Sequence, residues 1–401
     1  MVILLLGFVL IFCAAQAYAT PGNIIWQKTF GGAKNDYANS IQLTSDGGYI
    51  IAGSTDSYGG SDQLYLAKTD ANGALKWNKT FNGVASDADR SVQQTSDGGY
   101  IMVGSTRAYG NGWQMYLVKT KVDGSLQWQK AIGGTGDEFG ESVQQTSNGG
   151  YIITGNTTSF GGGSFVYLVN VSPTGAVQWQ EKLGNQSSGF NQYDGGMSVQ
   201  QTKDGGYIVS GYLVISPMTG QKLYLIKVKA DGKEEWENSY GLGFTNIGCS
   251  VQETANGGYI VGGTTHMPNS NSQMYLVKTN ANGALSWEKS YDLGLQFDPD
   301  CTGYSVIQPK NGNGYLLVGK VSLPSNAADE VYMVKVSSTG ALQWQSGAGS
   351  IASNDAGMSV RQASDGNYTI AGVTSISDTW PNGSSPFING TQVYLLKVSA
   401  K

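Results

Sequence analysis

A tryptophan that returns at a nearly constant interval constrains the fold of this chain more than any other feature. The pattern that ends in this Trp, Tyr-Leu-x-Lys, a short turn and Leu-x-Trp, is complete for the first time at 65–77 and returns later in full or with one or two residues changed. The intervals are 51, 51, 51, 57, 51 and 57 residues. Self-similarity at a fixed period indicates one structural unit per repeat, stacked against its neighbours. The recurring residues are Trp26, Trp77, Trp128, Trp179, Trp236, Trp287 and Trp344.

Every repeat predicts four β-strands. In the first repeat, residues 40–44, 49–55, 63–69 and 74–81 have the composition of strands. The turns Ser-Asp-Gly-Gly and Asp-Ala-Asn-Gly lie between them, and their Asn and Gly tolerate positive φ. The first two strands return six times along the chain. They begin at Ser91, Ser142, Ser198, Ser250, Ser305 and Ser359.

The two ends of the repetitive region complete one another. Residues 24–30 read as a fourth strand without a preceding hairpin, whereas 393–401 end the last repeat after its third strand. The sequence therefore predicts an all-β fold, a seven-bladed β-propeller of four-stranded antiparallel blades, in which the N-terminal strand closes the last blade. A linear solenoid would leave both segments unpaired. We expect one domain over 20–401, at a length that supports one large core.

The first 19 residues are uncharged and apolar, and they end in Ala17-Tyr18-Ala19. Small residues at these two positions are typical of signal-peptide cleavage, so 1–19 is predicted to be a signal peptide. The alternative is an uncleaved membrane anchor, because no Lys or Arg precedes the apolar run. We expect a secreted or cell-surface protein, monomeric and without a membrane span once the signal is cleaved.

Charge and motif content exclude several classes of function. The formal net charge is −5, with 24 Lys and Arg against 29 Asp and Glu and no basic cluster, so nucleic acid is not an expected partner. His266 is the only histidine, which excludes a metal site of several imidazoles. The chain lacks a nucleophile elbow on a strand-to-helix turn and a phosphate-binding loop. The sequence thus indicates no catalytic residue.

The residues 67–77, AKTDANGALKW, resemble the tryptophan-docking repeat of quinoprotein-type propellers. Ala67, Gly73 and Trp77 match that repeat, while Thr69 replaces its usual acidic residue. The chain also resembles the DGGYI-type propeller repeats of exported archaeal and bacterial proteins, most of which have no assigned activity. The resemblance implies no cofactor, because the quinone and calcium ligands of the dehydrogenases have no counterpart here.

In the tryptophan-docking family, the outer-strand Trp packs against the next blade. The resemblance therefore implies a girdle of Trp side chains, and we expect each beside a glycine that recurs in the second strand, where a glycine suggests close approach. These glycines are Gly53, Gly104, Gly155, Gly211, Gly263, Gly319 and Gly372.

A mostly acidic position precedes the first Ser of each repeat by four residues. Its occupants are Asp36, Asp87, Glu138, Asp194, Asn246, Cys301 and Asp355. In a propeller these side chains converge near one mouth of the channel. One interpretation is that they cap the preceding Gly-rich loops. The other is a Ca²⁺ site built from Asp36, Asp87, Glu138, Asp194 and Asp355.

The two cysteines that follow the signal segment, Cys249 and Cys301, lie near the same point of successive repeats. Export into oxidising surroundings makes a disulfide between them possible. Two buried thiols are the alternative, because pairing depends on geometry.

The turns after strands one and three are short and stereotyped, and we call the side that carries them the short-turn face. The loops after strands two and four vary in length and content and form the variable face, where function is expected. The segment 375–392 departs most from the repeat. The candidate contact residues on this face are Trp113, Phe190, Tyr193, Trp380 and Phe387.

The sequence thus favours an exported, non-enzymatic binding module that contacts a carbohydrate or a protein through the variable face. The alternative is a secreted polysaccharide hydrolase or lyase, or a cation-dependent enzyme, with carboxylates at the channel mouth.

Overall fold

The fold is all-β. A computed structural model describes residues 22–58, 62–81, 88–109, 112–161, 163–184, 192–216, 220–267, 270–293, 300–310, 312–322, 328–349, 353–376 and 390–400. Throughout these ranges the chain forms strands, turns and bends and no helix. The predicted signal segment 1–19 lies outside the described residues.

The strands group into four-stranded units, numbered 1 to 7 in chain order. The N-terminal strand is β1 (Ile24–Phe30). Unit 1 contains β2 (Asp36–Leu43), β3 (Tyr49–Thr55), β4 (Gln63–Thr69) and β5 (Leu75–Phe81). Unit 2 contains β6 (Ala88–Gln94), β7 (Tyr100–Thr106), β8 (Gln114–Thr120) and β9 (Leu126–Ile132). Unit 3 contains β10 (Glu138–Gln145), β11 (Tyr151–Thr157), β12 (Gly163–Val171) and β13 (Val177–Leu183), and a short strand, β14 (Gln192–Tyr193), follows it.

The later units repeat this order. Unit 4 contains β15 (Gly195–Gln201), β16 (Tyr207–Ser216), β17 (Gly220–Val228) and β18 (Glu234–Tyr240). Unit 5 contains β19 (Thr245–Glu253), β20 (Tyr259–His266), β21 (Ser272–Thr279) and β22 (Leu285–Tyr291). Unit 6 contains β23 (Asp300–Ile307), β24 (Tyr315–Ser322), β25 (Asp329–Val336) and β26 (Leu342–Ala348). Unit 7 contains β27 (Ser353–Gln362), β28 (Tyr368–Ile376) and β29 (Thr391–Val398).

The N-terminal strand supplies the fourth strand of unit 7. Strand β1 pairs antiparallel with β29, so that Phe30 lies opposite Val393 and Trp26 opposite Lys397. Units 1 and 7 also share an apolar cluster in which Ile41 and Tyr65 pack with Leu395. Sequence neighbours thus form antiparallel sheets, and the first and last units of the chain are in contact.

Side chains join the first strands of neighbouring units, which do not pair through their backbones. Between units 2 and 3, the Val143 N–H donates to Ser91 Oγ at 3.3 Å and the Gln145 N–H donates to Gln93 Oε1 at 2.5 Å. In the opposite direction the Ser96 N–H donates to Gln145 Oε1 at 2.8 Å. The serines that accept the same bond in other units are Ser40, Ser142, Ser198 and Ser305. The glutamines that accept the same bond are Gln144, Gln200 and Gln252. These side chains therefore act as acceptors for N–H groups on the free edges of the neighbouring first strands.

Six of the seven recurring Trp residues pack on a Tyr and a turn Gly of the following unit. The seventh, Trp344, packs on the apolar cluster that contains Tyr368 of unit 7. The ring centroids of Trp77 and Tyr100 lie 5.9 Å apart in an edge-to-face arrangement. A Cβ added to Gly124 would approach the Trp77 ring to 2.7 Å. Trp26 makes the same contacts with Tyr49 and Gly73, at a centroid distance of 6.4 Å for the ring pair. The docking partner is therefore the glycine of the turn between strands three and four.

The expectation that each Trp lies beside the second-strand glycine is wrong. A Cβ on Gly53 would lie 1.7 Å from the carbonyl oxygen of Tyr37 in the first strand, and one on Gly155 would lie equally close to that of Phe139. The pairing register shifts directly beside these glycines, between Ala38 and Ser40 in unit 1. The second-strand glycine is thus required by a β-bulge in the first strand.

We predict that Trp128→Ala lowers the free energy of unfolding by about 2–4 kcal/mol, because a half-buried docking ring is lost from the boundary with unit 3. Trp113→Ala is the matched control. Trp113 contacts Phe139 and the Arg107 guanidinium on the variable face, so its loss should cost about 1 kcal/mol. Urea unfolding of both variants measures the difference, and equal losses would contradict the docking role.

The Lys of the recurring pattern is buried in most units and bonds to the turn after the first strand. Lys119 Nζ lies 2.8 Å from an Asp97 carboxylate oxygen and also donates to the carbonyl of Thr120. Burial raises the pKa of Asp97, but hydrogen bonds from Lys119, Thr95 and the Gly99 N–H outweigh it and lower that pKa to about 2. In unit 5 the turn carries Asn256, and burial lowers the pKa of its lysine, Lys278, to about 8.

We predict that Asn256→Asp stabilises the protein at pH 7 by about 1 kcal/mol, because it supplies the carboxylate that the buried Lys278 lacks. In the unmodified chain the pKa of Lys278 is about 8 in the folded state and about 10.4 in the unfolded state. Between these values the unfolded state binds more protons than the folded state, so the free energy of unfolding rises from about pH 8 to pH 10. The substitution should remove the part of that rise that comes from Lys278, whereas Lys335, whose pKa burial also lowers to about 8, keeps its own part.

The matched control is Asn148→Asp in unit 3, where Asn170 replaces the lysine. This control should bring no stabilisation. Unfolding free energies measured from pH 7 to pH 10 test both variants, and a gain of the same size in the control would contradict the pairing.

Candidate functional site

The acidic position of the repeat lies buried at the start of the first strand, where it accepts hydrogen bonds from the loop before it. Asp36 accepts from the Gly32 N–H at 2.8 Å, from Ser57 Oγ at 2.9 Å and from Thr55 Oγ1. Glu138 accepts in the same way from the Gly134 N–H at 2.8 Å and from the hydroxyls of Thr157 and Ser159. These carboxylates fasten the loop after strand four to the end of strand two.

A neutral amide performs the same task in unit 5. Asn246 Oδ1 accepts from Thr265 Oγ1 at 2.7 Å and from the Gly243 N–H at 3.2 Å. A neutral acceptor thus serves as well as a carboxylate at this position in unit 5, which supports the capping interpretation. Asp194 accepts from the Val214 N–H at 3.0 Å, and Asp355 from Ser353 Oγ at 3.0 Å.

A cation site at these carboxylates stays a prediction. In the described ranges, no three acidic, histidine or cysteine side chains come close enough together to hold a metal ion. Asp87 lies outside the described residues.

Three consecutive units expose an aromatic ring at the same place on the variable face. Tyr58, Tyr109 and Phe160 each follow the second strand of their unit and are 42%, 53% and 46% exposed. Each ring packs against a third-strand Tyr of its own unit, with centroids 6.2, 6.0 and 6.1 Å apart at Tyr65, Tyr116 and Tyr167. We call Tyr58, Tyr109 and Phe160 the aromatic row. Because an underlying ring fixes each side chain, the outer faces are presented in a set orientation.

A polar groove adjoins the middle ring of the row. Its volume is about 430 Å³, and its lining includes Tyr109, Gln114, Gln129 and Lys130. Gln129 Nε2 donates to the Tyr109 hydroxyl at 3.0 Å, and the Tyr116 hydroxyl donates to Gln129 Oε1 at 2.9 Å. An exposed ring beside amides and an ammonium group suits a ligand with both apolar and hydroxyl surfaces.

The structure assigns different surroundings to the two described candidate contact residues. Trp113 is half-buried, packs on Phe139 at 5.7 Å and lies beneath the Arg107 guanidinium at 4.5 Å from its ring centroid. Tyr193 is 57% exposed. Phe190, Trp380 and Phe387 lie outside the described residues.

The exposure of Tyr193 follows from a change in how neighbouring units join. In units 1, 3, 6 and 7 the equivalent residue is an Asn or Asp whose side chain accepts a hydrogen bond from the third-strand region of the previous unit, as Asp137 accepts from the Trp113 N–H at 2.7 Å. At Tyr193 a short parallel pairing with Ser164 replaces that bond, and Thr245 of unit 5 pairs with Gln221 in the same way. The backbone thus makes the connection, and the side chain is left at the surface.

Cys249 and Cys301 are not joined by a disulfide in the structure. Cys301 is buried in the apolar cluster of units 5 and 6. Cys249 occupies the bulge position of unit 5, where burial and the charge of Glu141 raise the pKa of its thiol to about 12.

The sequence reasoning missed this bulge position, the extra residue directly before the first Ser of each repeat. The sequence contains a signal for it, because the residue at this position changes chemical type at nearly every repeat. The residues at this position, the bulge column, are Asn39, Arg90, Glu141, Met197, Cys249, Tyr304 and Met358. Arg90 Nε lies 3.6 Å from a Glu141 carboxylate oxygen, so the first two charges of the column pair with each other.

Comparison with known proteins identifies the fold. Residues 44–75 match the family described as "Domain of unknown function (DUF5122) beta-propeller". No curated protein matches the chain. The described strands form a β-propeller, as the solved structures similar to the chain show.

Two of these structures cover nearly the whole chain. The WD40 domain of Neurospora crassa Pan2 is 9% identical, with 91% of this chain and 89% of that one covered and a TM-score of 0.51. A protein of unknown function from Dyadobacter fermentans is 10% identical, with 95% and 100% covered and a TM-score of 0.51. The NanB sialidase of Streptococcus pneumoniae is more distant, with 12% identity, 95% and 71% coverage and a TM-score of 0.46.

These likenesses show the fold alone, because residue identity is too low to transfer a site. Across the described ranges, no helix is long and apolar enough to cross a membrane.

We predict that Glu138→Gln lowers the free energy of unfolding by about 1–2 kcal/mol, because the amide nitrogen cannot accept the bonds that one carboxylate oxygen accepts now. If Glu138 and its equivalents serve the loops, treatment with EDTA leaves the melting temperature of the unmodified protein unchanged. A drop with EDTA that Ca²⁺ reverses, and that is absent in Glu138→Gln, would instead support the cation site.

Proposed function

We propose that this protein is an exported, monomeric β-propeller of seven blades that acts as a non-enzymatic binding module, with its ligand on the variable face. The aromatic row is the observation that carries the proposal. Rings at equivalent positions of units 1 to 3, each held by a second ring beneath it, form a repeated contact surface. Carbohydrate is the favoured ligand class, because sugar rings present an apolar face and a hydroxyl edge.

The ring closure within this proposal is supported by contacts at both ends of the chain. Strand β1 pairs with β29, and Trp26 of that strand contacts Tyr49 and Gly73 of unit 1 as the later Trp residues contact their following units. Closure would leave no unit with an open side surface. From the same contacts we infer that the repeats are of the tryptophan-docking kind.

The groove at Tyr109 supports carbohydrate over protein as the ligand. Its lining is mainly polar, and Gln114, Gln129 and Lys130 supply donors and acceptors beside the ring. Large flat apolar patches, which protein partners commonly bury, are not needed for such a ligand. We also assign Trp113, Tyr193, Phe190, Trp380 and Phe387 to the binding face, as neighbours of the row or by their place in the repeat.

We predict that Tyr109→Ala weakens binding of any glycan found on an array by about ten- to thirtyfold, because the central ring of the row is lost. Phe244→Ala is the matched control, since Phe244 is 44% exposed on unit 5, away from the row. A Trp380→Ala plus Phe387→Ala variant tests the long segment after the second strand of unit 7. Folding is checked first by near-ultraviolet circular dichroism.

Equal affinity of the unmodified protein and the Tyr109→Ala variant would contradict the proposal. A hydrolysis and elimination screen on the same polysaccharides separates binding from catalysis. Turnover that is lost on changing Asp36 or Asp355, while Tyr109→Ala keeps it, would favour the hydrolase or lyase in place of a binding module.

A further inference from the structure

The channel between the first strands opens on the short-turn face into a cavity of about 280 Å³. This cavity is remote from the aromatic row, because its lining comes from the ends of the first strands rather than from their beginnings. Serine and glutamine side chains dominate the lining, with a few aliphatic ones. Arg361 is the one charged residue among the described residues that line it.

Arg361 occupies a position that the other repeats give to a neutral residue. The equivalent residues are Gln42, Gln93, Gln144, Gln200, Gln252 and Ile307. The guanidinium donates to the carbonyl of Val360 at 2.7 Å, and no carboxylate in the described part of the chain lies within salt-bridge distance of it. Burial lowers the pKa of Arg361 to about 10, so the group remains charged at pH 7.

The side-chain amides of the glutamines around Arg361 have a fixed orientation. Gln93, Gln144 and Gln200 each use Oε1 to accept a backbone N–H of the next unit, at 2.5, 2.5 and 2.6 Å. A backbone N–H can donate only to the carbonyl oxygen of an amide, so the NH₂ group is the part that remains for another partner. Within the described residues these NH₂ groups make no hydrogen bond. The cavity is therefore surrounded by donors.

The serines reinforce this polarity. Ser142 Oγ and Ser198 Oγ accept from the Val199 and Val251 N–H groups at 3.2 Å, which leaves each hydroxyl proton for donation. The nearby carboxylates are engaged elsewhere. Glu141 pairs with Arg90. Glu253 accepts a hydrogen bond from the Lys203 backbone N–H and forms an ion pair with the Lys203 ammonium group.

We propose that this cavity, the donor ring, binds a small oxyanion, a phosphate, sulfate or carboxylate group, with Arg361 as the charged contact and the glutamine NH₂ groups beside it. A guanidinium matches the oxygens of such anions with two parallel N–H donors. An anion would also offset the cost of partly burying a cation that no carboxylate pairs in the described part of the chain. The site is independent of the aromatic row.

Inorganic phosphate is the probe. Isothermal titration calorimetry of the mature chain, with chloride used to keep the ionic strength constant, should detect phosphate binding, and the melting temperature should rise with phosphate. Arg361→Gln, which installs the residue of the other repeats, should weaken binding by about ten- to hundredfold, the loss expected for charge-assisted hydrogen bonds. Arg361→Lys should retain a weaker affinity.

Arg107→Gln is the matched control, because it also removes a guanidinium, but one that lies over the Trp113 ring on the variable face, outside the cavity lining. It should bind phosphate as the unmodified chain does. Sulfate and acetate in parallel titrations distinguish a tetrahedral from a planar anion. If Arg361→Gln fails to fold, Arg361→Ile, which copies Ile307, provides the second neutral variant.

No heat and no thermal shift with phosphate, sulfate or acetate in the unmodified chain would overturn the proposal. Equal phosphate affinity in Arg361→Gln would overturn it as well. Glycan binding by Arg361→Gln should remain unchanged, so a failure at one site is distinguishable from a failure at the other.

Discussion

The hydrogen bonds between first strands are the constraint on which the rest of the structure depends. The first strand of each unit pairs on one side only, so its second edge carries N–H groups that need acceptors. Backbone pairing with the next unit would merge the units into one continuous sheet. A serine and a glutamine placed two residues apart accept these N–H groups instead, as Ser91 and Gln93 do for unit 3. The recurrence of Ser-Val-Gln follows from this need.

The β-bulge adds a second constraint, and it explains the glycines. The extra residue before the Ser turns the strand so that Ser and Gln reach the neighbour, and the crowded backbone leaves no room for a Cβ opposite it. Gly155 meets the Phe139 carbonyl in this way. The bulge residue itself makes no recurring contact, so its type is not restricted by the repeat. Arg90, Glu141 and Cys249 can therefore differ without disturbing the units that carry them.

The sequence predicted the strands within a unit well, because alternation and turn glycines are local signals. In unit 1 the second and third strands agree at both ends, while the first begins at Asp36 rather than at residue 40 because pairing continues past the bulge. The partner of the docking Trp was misplaced, since Gly53 and Gly73 recur with the same period and only contacts between units distinguish them. The capping role of Asp36 was foreseen as one of two interpretations, and Asn246 gave the clue that charge is not required.

The donor ring shows why contacts between units, more than motifs, bear on function in such a chain. Read alone, Gln144 is a polar residue at a strand end with no preference between accepting and donating. Its bond to the Gln201 N–H occupies the carbonyl oxygen and leaves only the NH₂ group. The same bond recurs at Gln93, Gln200 and Gln252, so a structural requirement gives this part of the cavity one electrostatic character. Arg361 then adds a full positive charge, and no carboxylate among the described residues lines the cavity. The side chains that connect the units therefore also favour a negatively charged ligand.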